Sequence, residues 1–160
     1  YLLVSTLSEI LSNELGLAVK AIGDNMDKED FNASGKTKRS LLFEVSASSD
    51  YIKGVISVND PILYAEKGRP PFTPDSGLAQ RIYDWMPFRS LPQDQGLAVF
   101  ISGKISKFGT KLWRDLGSKG GRREIYTDVL QNTSDNISEA IREVVSGEVR
   151  SKVNEALVSV

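Results

Sequence analysis

The chain contains no cysteine and no histidine. The first absence removes disulfide frameworks and thiol nucleophiles. Together they remove Cys/His zinc sites and every catalytic triad built on an imidazole base. Chemistry at neutral pH would fall to carboxylates, lysine or an oxygen-bound metal. No apolar run approaches the roughly 18 residues of a membrane span, and no basic n-region followed by an apolar stretch marks a signal peptide within these residues. The sequence begins at Tyr1 rather than Met, so anything upstream of it, a targeting signal included, stays open. Proline is scarce and unevenly placed: four of the six, Pro61, Pro70, Pro71 and Pro74, fall within residues 60–77.

What is present fits one globular domain spanning residues 1–160. Its 160 residues are enough to bury a core without staples, and 40% apolar with 26% charged content is too rich for a disordered chain. The net charge of −1 hides an asymmetry. Residues 1–33 carry two basic and six acidic groups (−4), residues 34–123 fifteen and eight (+7), and residues 124–160 three and seven (−4). A basic middle between acidic ends can orient subunits or favour a polyanion, or can neutralise itself within one domain.

Hydrophobic spacing predicts a long N-terminal helix over 2–31, with Leu3, Leu7, Leu11, Leu15, Ala18, Ile22 and Met26 on one stripe. Gly16 and Gly23 each weaken it by about 1 kcal/mol relative to alanine, so a bend or break is expected near Gly23-Asp24. Ser34-Gly35 should end the element. Period-two alternation through Leu41, Phe43, Val45 and Ala47, then Ile52, Ile56 and Val58, predicts a hairpin over 38–59 turning at Ser48-Ser49-Asp50. Residues 60–77 read as an irregular, proline-stiffened loop, and a loop that long in a small domain points to function or an interface. Two helices follow, one through Leu78, Ile82 and Trp85, the other through Ala98, Ile101, Ile105 and Phe108. A glycine-rich basic loop over 109–123, a short strand near 123–126 and a long helix over 127–160 complete the order. The expected fold class is α+β, a small antiparallel sheet flanked by long N- and C-terminal helices.

Several patterns invite chemistry and fall short of it. Ser34-Gly35-Lys36-Thr37 resembles the end of a P-loop, but Asp30 stands where the motif needs its first glycine, and the segment follows a helix rather than a strand. The pairs Glu66 with Asp75 and Asp84 with Asp94 lack the spacing of a metal or glycosidase motif and read as surface carboxylates. The basic run Lys111, Arg114, Lys119, Arg122 and Arg123 brackets Trp113. It can track a phosphate backbone without sequence preference, or be a solvated loop. Trp85, at helical spacing, is expected in the core. Trp113, in a polar loop, is the better interface anchor.

The segment Ile62-Leu63-Tyr64-Ala65-Glu66-Lys67-Gly68-Arg69-Pro70-Pro71-Phe72 resembles the loop of the HK97 gp10-like family of tailed-phage neck and tail-completion proteins. So do Ser34-Gly35-Lys36 leading to Ser40-Leu41, the Leu78 to Trp85 helix, and Ile105-Ser106-Lys107-Phe108-Gly109-Thr110. Here only Glu66 and Lys67 separate Tyr64-Ala65 from Gly68, a compressed form of the family loop. The resemblance implies a structural virion protein of the neck or tail region, assembled in host cytoplasm. Copies would form a ring between portal and tail around the DNA channel, touching neighbouring portal, neck and tail proteins, with no membrane partner. It implies no enzymatic activity and no cofactor or metal. The subunit interface would use Tyr64, Glu66, Lys67, Arg69, Pro70, Pro71, Phe72 and Trp113, and Lys111, Arg114, Lys119, Arg122 and Arg123 would face the DNA. Two other readings compete: a stand-alone nucleic-acid-binding module using residues 111–123, and a carboxylate hydrolase dependent on Mg²⁺ or Ca²⁺.

Overall fold

A computed structural model describes residues 2–31, 34–48 and 50–158. In chain order its elements are α1 (Leu2–Lys28), α2 (Lys36–Arg39), β1 (Leu42–Ala47), β2 (Ile52–Ser57), a 3-10 turn (Asp60–Tyr64), α3 (Leu78–Trp85), α4 (Gln95–Phe108), α5 (Lys111–Asp115) and α6 (Thr127–Val158). Two shorter 3-10 turns lie at Met86–Arg89 and Gly117–Lys119. The class is α+β, with one antiparallel hairpin and long helices at both ends of the chain. It divides into two compact units. One holds residues 1–22, 42–57 and 127–160, the other residues 23–41 and 58–126.

In the first unit the hairpin pairs Leu42 with Ser57 through to Ala47 with Ile52. That register sets Phe43, Val45, Ile52 and Ile56 on one face, the face expected from the alternation. Leu11 and Leu15 of α1 pack on it, and Val45, Ile52 and Ile56 are half-buried while Phe43 stays 39% exposed. A Cβ on Gly54 would come within 2.5 Å of Leu15 Cδ1 and 2.9 Å of Leu11 Cδ2, so only a bare backbone admits the two leucines there. Leu42 and Val55 face outward. α6 meets α1 through Asn136 Nδ2, which donates to Glu14 Oε2 at 3.2 Å. Ile137 and Ile141 are half-buried, but from Val149 to Leu157 every residue is exposed. The turn residue Ser49 and the end of the α6 stripe at Val160 lie outside the described residues.

The second unit has its core where α3 crosses α4: Ile82, Met86 and Ala98, packed by Leu78, Tyr83, Leu97, Ile101 and Ile105. Met26, Ile62, Ala65 and Ile125 are also buried. α4 starts at a side-chain cap, Asp94 Oδ1 accepting from the Leu97 N–H at 2.6 Å. Trp85 is part exposed and stacks on the Arg89 guanidinium at 5.9 Å rather than filling the core.

Four local expectations need correction. α1 runs without a break through Gly23 to Lys28, and the Lys38 stem passes 3.1 Å from where a Gly23 Cβ would stand. Ser34-Gly35 leads into a single helical turn, not a strand, and the hairpin begins only at Leu42. Residues 109–123 contain a helix, started by Thr110, whose hydroxyl accepts from the Trp113 N–H at 3.3 Å. No strand forms near 123–126. The N–H groups a ladder would use are already donated elsewhere, as described next.

Candidate interface loop

The loop over residues 60–77 is ordered by two buried ionic side chains. Pro61 opens a 3-10 turn that buries Ile62, and the Gly68 N–H closes back on Tyr64 O at 2.9 Å. Glu66 then points inward and is 2% exposed. Its Oε1 accepts from the backbone N–H groups of Ile125, at 3.2 Å, and Tyr126, at 2.7 Å. Its own carbonyl accepts from the Arg123 N–H at 2.9 Å, and its Oε2 lies 3.7 Å from the Arg122 guanidinium. Asn25 Nδ2 completes the seam by donating to Ile125 O at 3.1 Å. One carboxylate and one amide therefore do for residues 123–126 what a strand partner would have done. Burial pushes the Tyr126 phenol up, and the Glu66 charge adds to that shift.

Arg69, 6% exposed, ties the second half of the loop to itself. Nη1 reaches Asp75 Oδ2 at 2.6 Å and Nη2 donates to Thr73 O at 2.9 Å, while the guanidinium lies 5.2 Å from the Tyr64 ring centroid. Its Nε is buried without a hydrogen-bond partner. Asp75 also accepts from the Arg81 guanidinium and, at 3.0 Å, from the Gly77 N–H. Burial alone would raise the Asp75 carboxyl, but these donors outweigh it and hold the group below the usual carboxylate range.

The loop docks on the end of α4 through main-chain bonds. Arg69 N–H donates to Thr110 Oγ1 at 3.0 Å, and Arg69 O accepts from the Thr110 N–H at 3.0 Å. Gly68, at φ 75°, is pressed so close that a Cβ would stand 2.4 Å from Trp113 N. The Phe72 N–H donates to Ser106 O at 2.7 Å, satisfying a carbonyl that the helix end would leave free. To make that bond Phe72 adopts φ 58°, and its ring stands 81% exposed. A bulky residue in the left-handed region costs about 1–3 kcal/mol, so it persists only where its surroundings over-determine it.

The residues expected at an interface therefore separate into two groups. Glu66 and Arg69 are engaged inside the chain, and their role is to shape the loop rather than reach from it. Trp113 is half-buried, its ring edge packed where side chains on Gly109 and Gly117 would stand, so it is no free anchor. Tyr64, Pro70 and Pro71 are half-buried, and Lys67 and Phe72 are presented outward. The five cations expected to face DNA divide similarly. Arg123 Nη1 donates to Glu29 O at 2.9 Å and Arg122 lies beside Glu66, whereas Lys111, Arg114 and Lys119 are exposed. Lys111 is paired with Asp115, and Arg114 donates to Gly109 O at 2.8 Å.

Asp75 and Thr110 were not singled out from the sequence as loop-holding groups. Thr110 carried a legible signal, a hydroxyl residue directly after the Gly109 helix stop. Beside the loop is an open depression of about 360 Å³, lined by Arg69, Arg89 and Arg123 against Glu29 and Asp30. Arg89 is already paired with Asp30. Among the described residues no group of three or more carboxylates converges as a metal site, and no helix is long and apolar enough to cross a membrane. No family model, curated protein or solved structure matches the chain.

Proposed function

We propose that this chain is a structural assembly subunit, a tailed-phage neck or tail-completion protein that closes into a homo-oligomeric ring around the DNA channel and catalyses nothing. The observation that carries the reading is Phe72. An aromatic side chain 81% exposed, at a left-handed φ, stands on a loop whose Glu66, Arg69 and Asp75 side chains are turned inward and bonded. A loop already ordered loses little entropy when a neighbour packs on it. An aromatic ring at its apex is the kind of side chain that anchors interfaces. The resemblance of Tyr64 to Phe72 to the neck-protein loop supplies the class of assembly, and the uneven charge along the chain suits head-to-tail contacts between copies.

Native mass measurement across a concentration series, alone and with a portal protein, tests the reading. Wild-type chain should form one closed oligomer, and Phe72→Ala should raise the concentration needed at least tenfold. A monomer under every condition, with or without the portal, would sink it.

A further inference from the structure

We propose that one face of α4 binds single-stranded nucleic acid, with bases stacking on Phe100 and Phe108 and phosphates meeting Lys104 and Lys107. The inference goes beyond the ring reading and does not need it, because a single copy carries the whole face. At 3.6 residues per turn these four side chains fall within an arc of about 100°. Ala98, Ile101 and Ile105 occupy the adjoining arc and pack around Ile82 and Met86. The rings stay outside that core, Phe100 59% and Phe108 46% exposed. Between these two residues the helix rises about 12 Å. Lys104 stands between the rings, its ammonium 5.3 Å from the Phe100 centroid and 5.7 Å from the Phe108 centroid. The Lys107 ammonium lies 5.3 Å from the Phe108 centroid. Gly103, beside them, leaves open space where a Cβ would be, so another backbone can come close.

Charge selects the occupant. α4 contains no acidic residue, and residues 95–119 carry Lys104, Lys107, Lys111, Arg114 and Lys119 against Asp115 alone. Asp115 is paired with Lys111. Among the described residues no carboxylate is paired with Lys104 or Lys107. A protein packed over both rings would have to bury the Lys104 ammonium between them. Lysine is depleted from the centres of protein interfaces, because an unmatched buried charge is costly. A nucleic-acid strand brings a phosphate with every nucleotide, so the same ammonium is matched wherever the strand lies. Exposed aromatic rings set among cations hold single strands without sequence preference. A duplex keeps its base faces stacked on one another and leaves the rings nothing to stack on. The face also differs from the basic run over 111–123, whose aromatic residue, Trp113, is half-buried.

Fluorescence anisotropy of a labelled 20-nucleotide oligothymidylate at several salt concentrations tests the proposal. A 20-base-pair duplex is the comparison, and circular dichroism checks that each variant folds. Wild-type chain should bind the single strand at least tenfold more tightly than the duplex. F100L/F108L keeps the apolar bulk and removes the rings, so it should weaken single-strand binding at least tenfold with the salt slope unchanged. K104A/K107A should lower the slope by about 1.4, two phosphates at about 0.7 each. Binding indifferent to F100L/F108L would overturn the proposal, as would a duplex bound as tightly as the single strand. So would a slope that only Lys111→Ala with Lys119→Ala reduces, which would place the strand on the 111–123 run. Oligomer formation lost in F100L/F108L while oligothymidylate binding is untouched would assign the face to a second copy of the chain instead. A chain that stays monomeric and binds the strand supports this inference and removes the ring reading; one that assembles and never binds the strand does the reverse.

Discussion

Replacing Glu66 by alanine removes the acceptor of two backbone N–H groups, those of Ile125 and Tyr126, in a place water does not reach. Each buried donor left without a partner costs about 1–3 kcal/mol. Arg122, at 3.7 Å from the carboxylate and one-third exposed, rehydrates when its partner goes and adds about 0–1 kcal/mol. The expected loss is about 2–7 kcal/mol, a large fraction of the roughly 5–15 kcal/mol that holds a domain together. Glu66→Gln keeps an oxygen where Oε1 stands and gives up only the charge, so it should lose about 1–2 kcal/mol. Urea unfolding followed by tryptophan fluorescence is the suitable assay, because Trp85 and Trp113 both lie in the unit that contains Glu66. The midpoint should fall with the slope unchanged. If alanine costs less than about 0.5 kcal/mol, or glutamine costs as much as alanine, the carboxylate is not what holds residues 123–126 and the reasoning fails.

Three more outcomes follow from the same geometry. The folded Asp75 carboxyl titrates below its unfolded value of about 3.9, so its contribution is complete above that pH and drains away as pH falls through the lower folded value; Asp75→Asn should flatten the acid limb of stability measured from pH 5 to pH 3, and an unchanged limb would contradict this. Gly68→Ala must hold φ near 75° with a Cβ against Trp113 N, so it should cost more than about 2 kcal/mol in the same urea assay. If the chain touches DNA without sequence preference, Lys111→Ala with Lys119→Ala should lower the salt slope of binding by about 2, and Arg122→Ala with Arg123→Ala should mainly lower stability, since those two are bonded inside. Fluorescence anisotropy at several salt concentrations separates the two.

Legibility followed the range of the interactions. α1 and α6 could be read because their apolar residues recur at helical spacing. The hairpin could be read because Phe43, Val45, Ile52 and Ile56 alternate, and the register follows once one face must be buried. The helix stops at Pro87 and Gly109 are local chemistry, and α3 and α4 end within two residues of them. Residues 123–126 have strand composition and failed as a strand because their donors found Glu66, some 60 positions earlier. Trp85 and Trp113 exchanged their expected surroundings for a similar reason: neither spacing nor a polar neighbourhood reveals that Gly109 and Gly117 leave a slot for one ring. Composition alone decided that no thiol or imidazole chemistry operates here. Which charged residues of the 60–77 loop turn inward, and that Phe72 stands out from it, was decided only when distant donors and acceptors met, because a buried charge takes whatever partner the fold brings within reach.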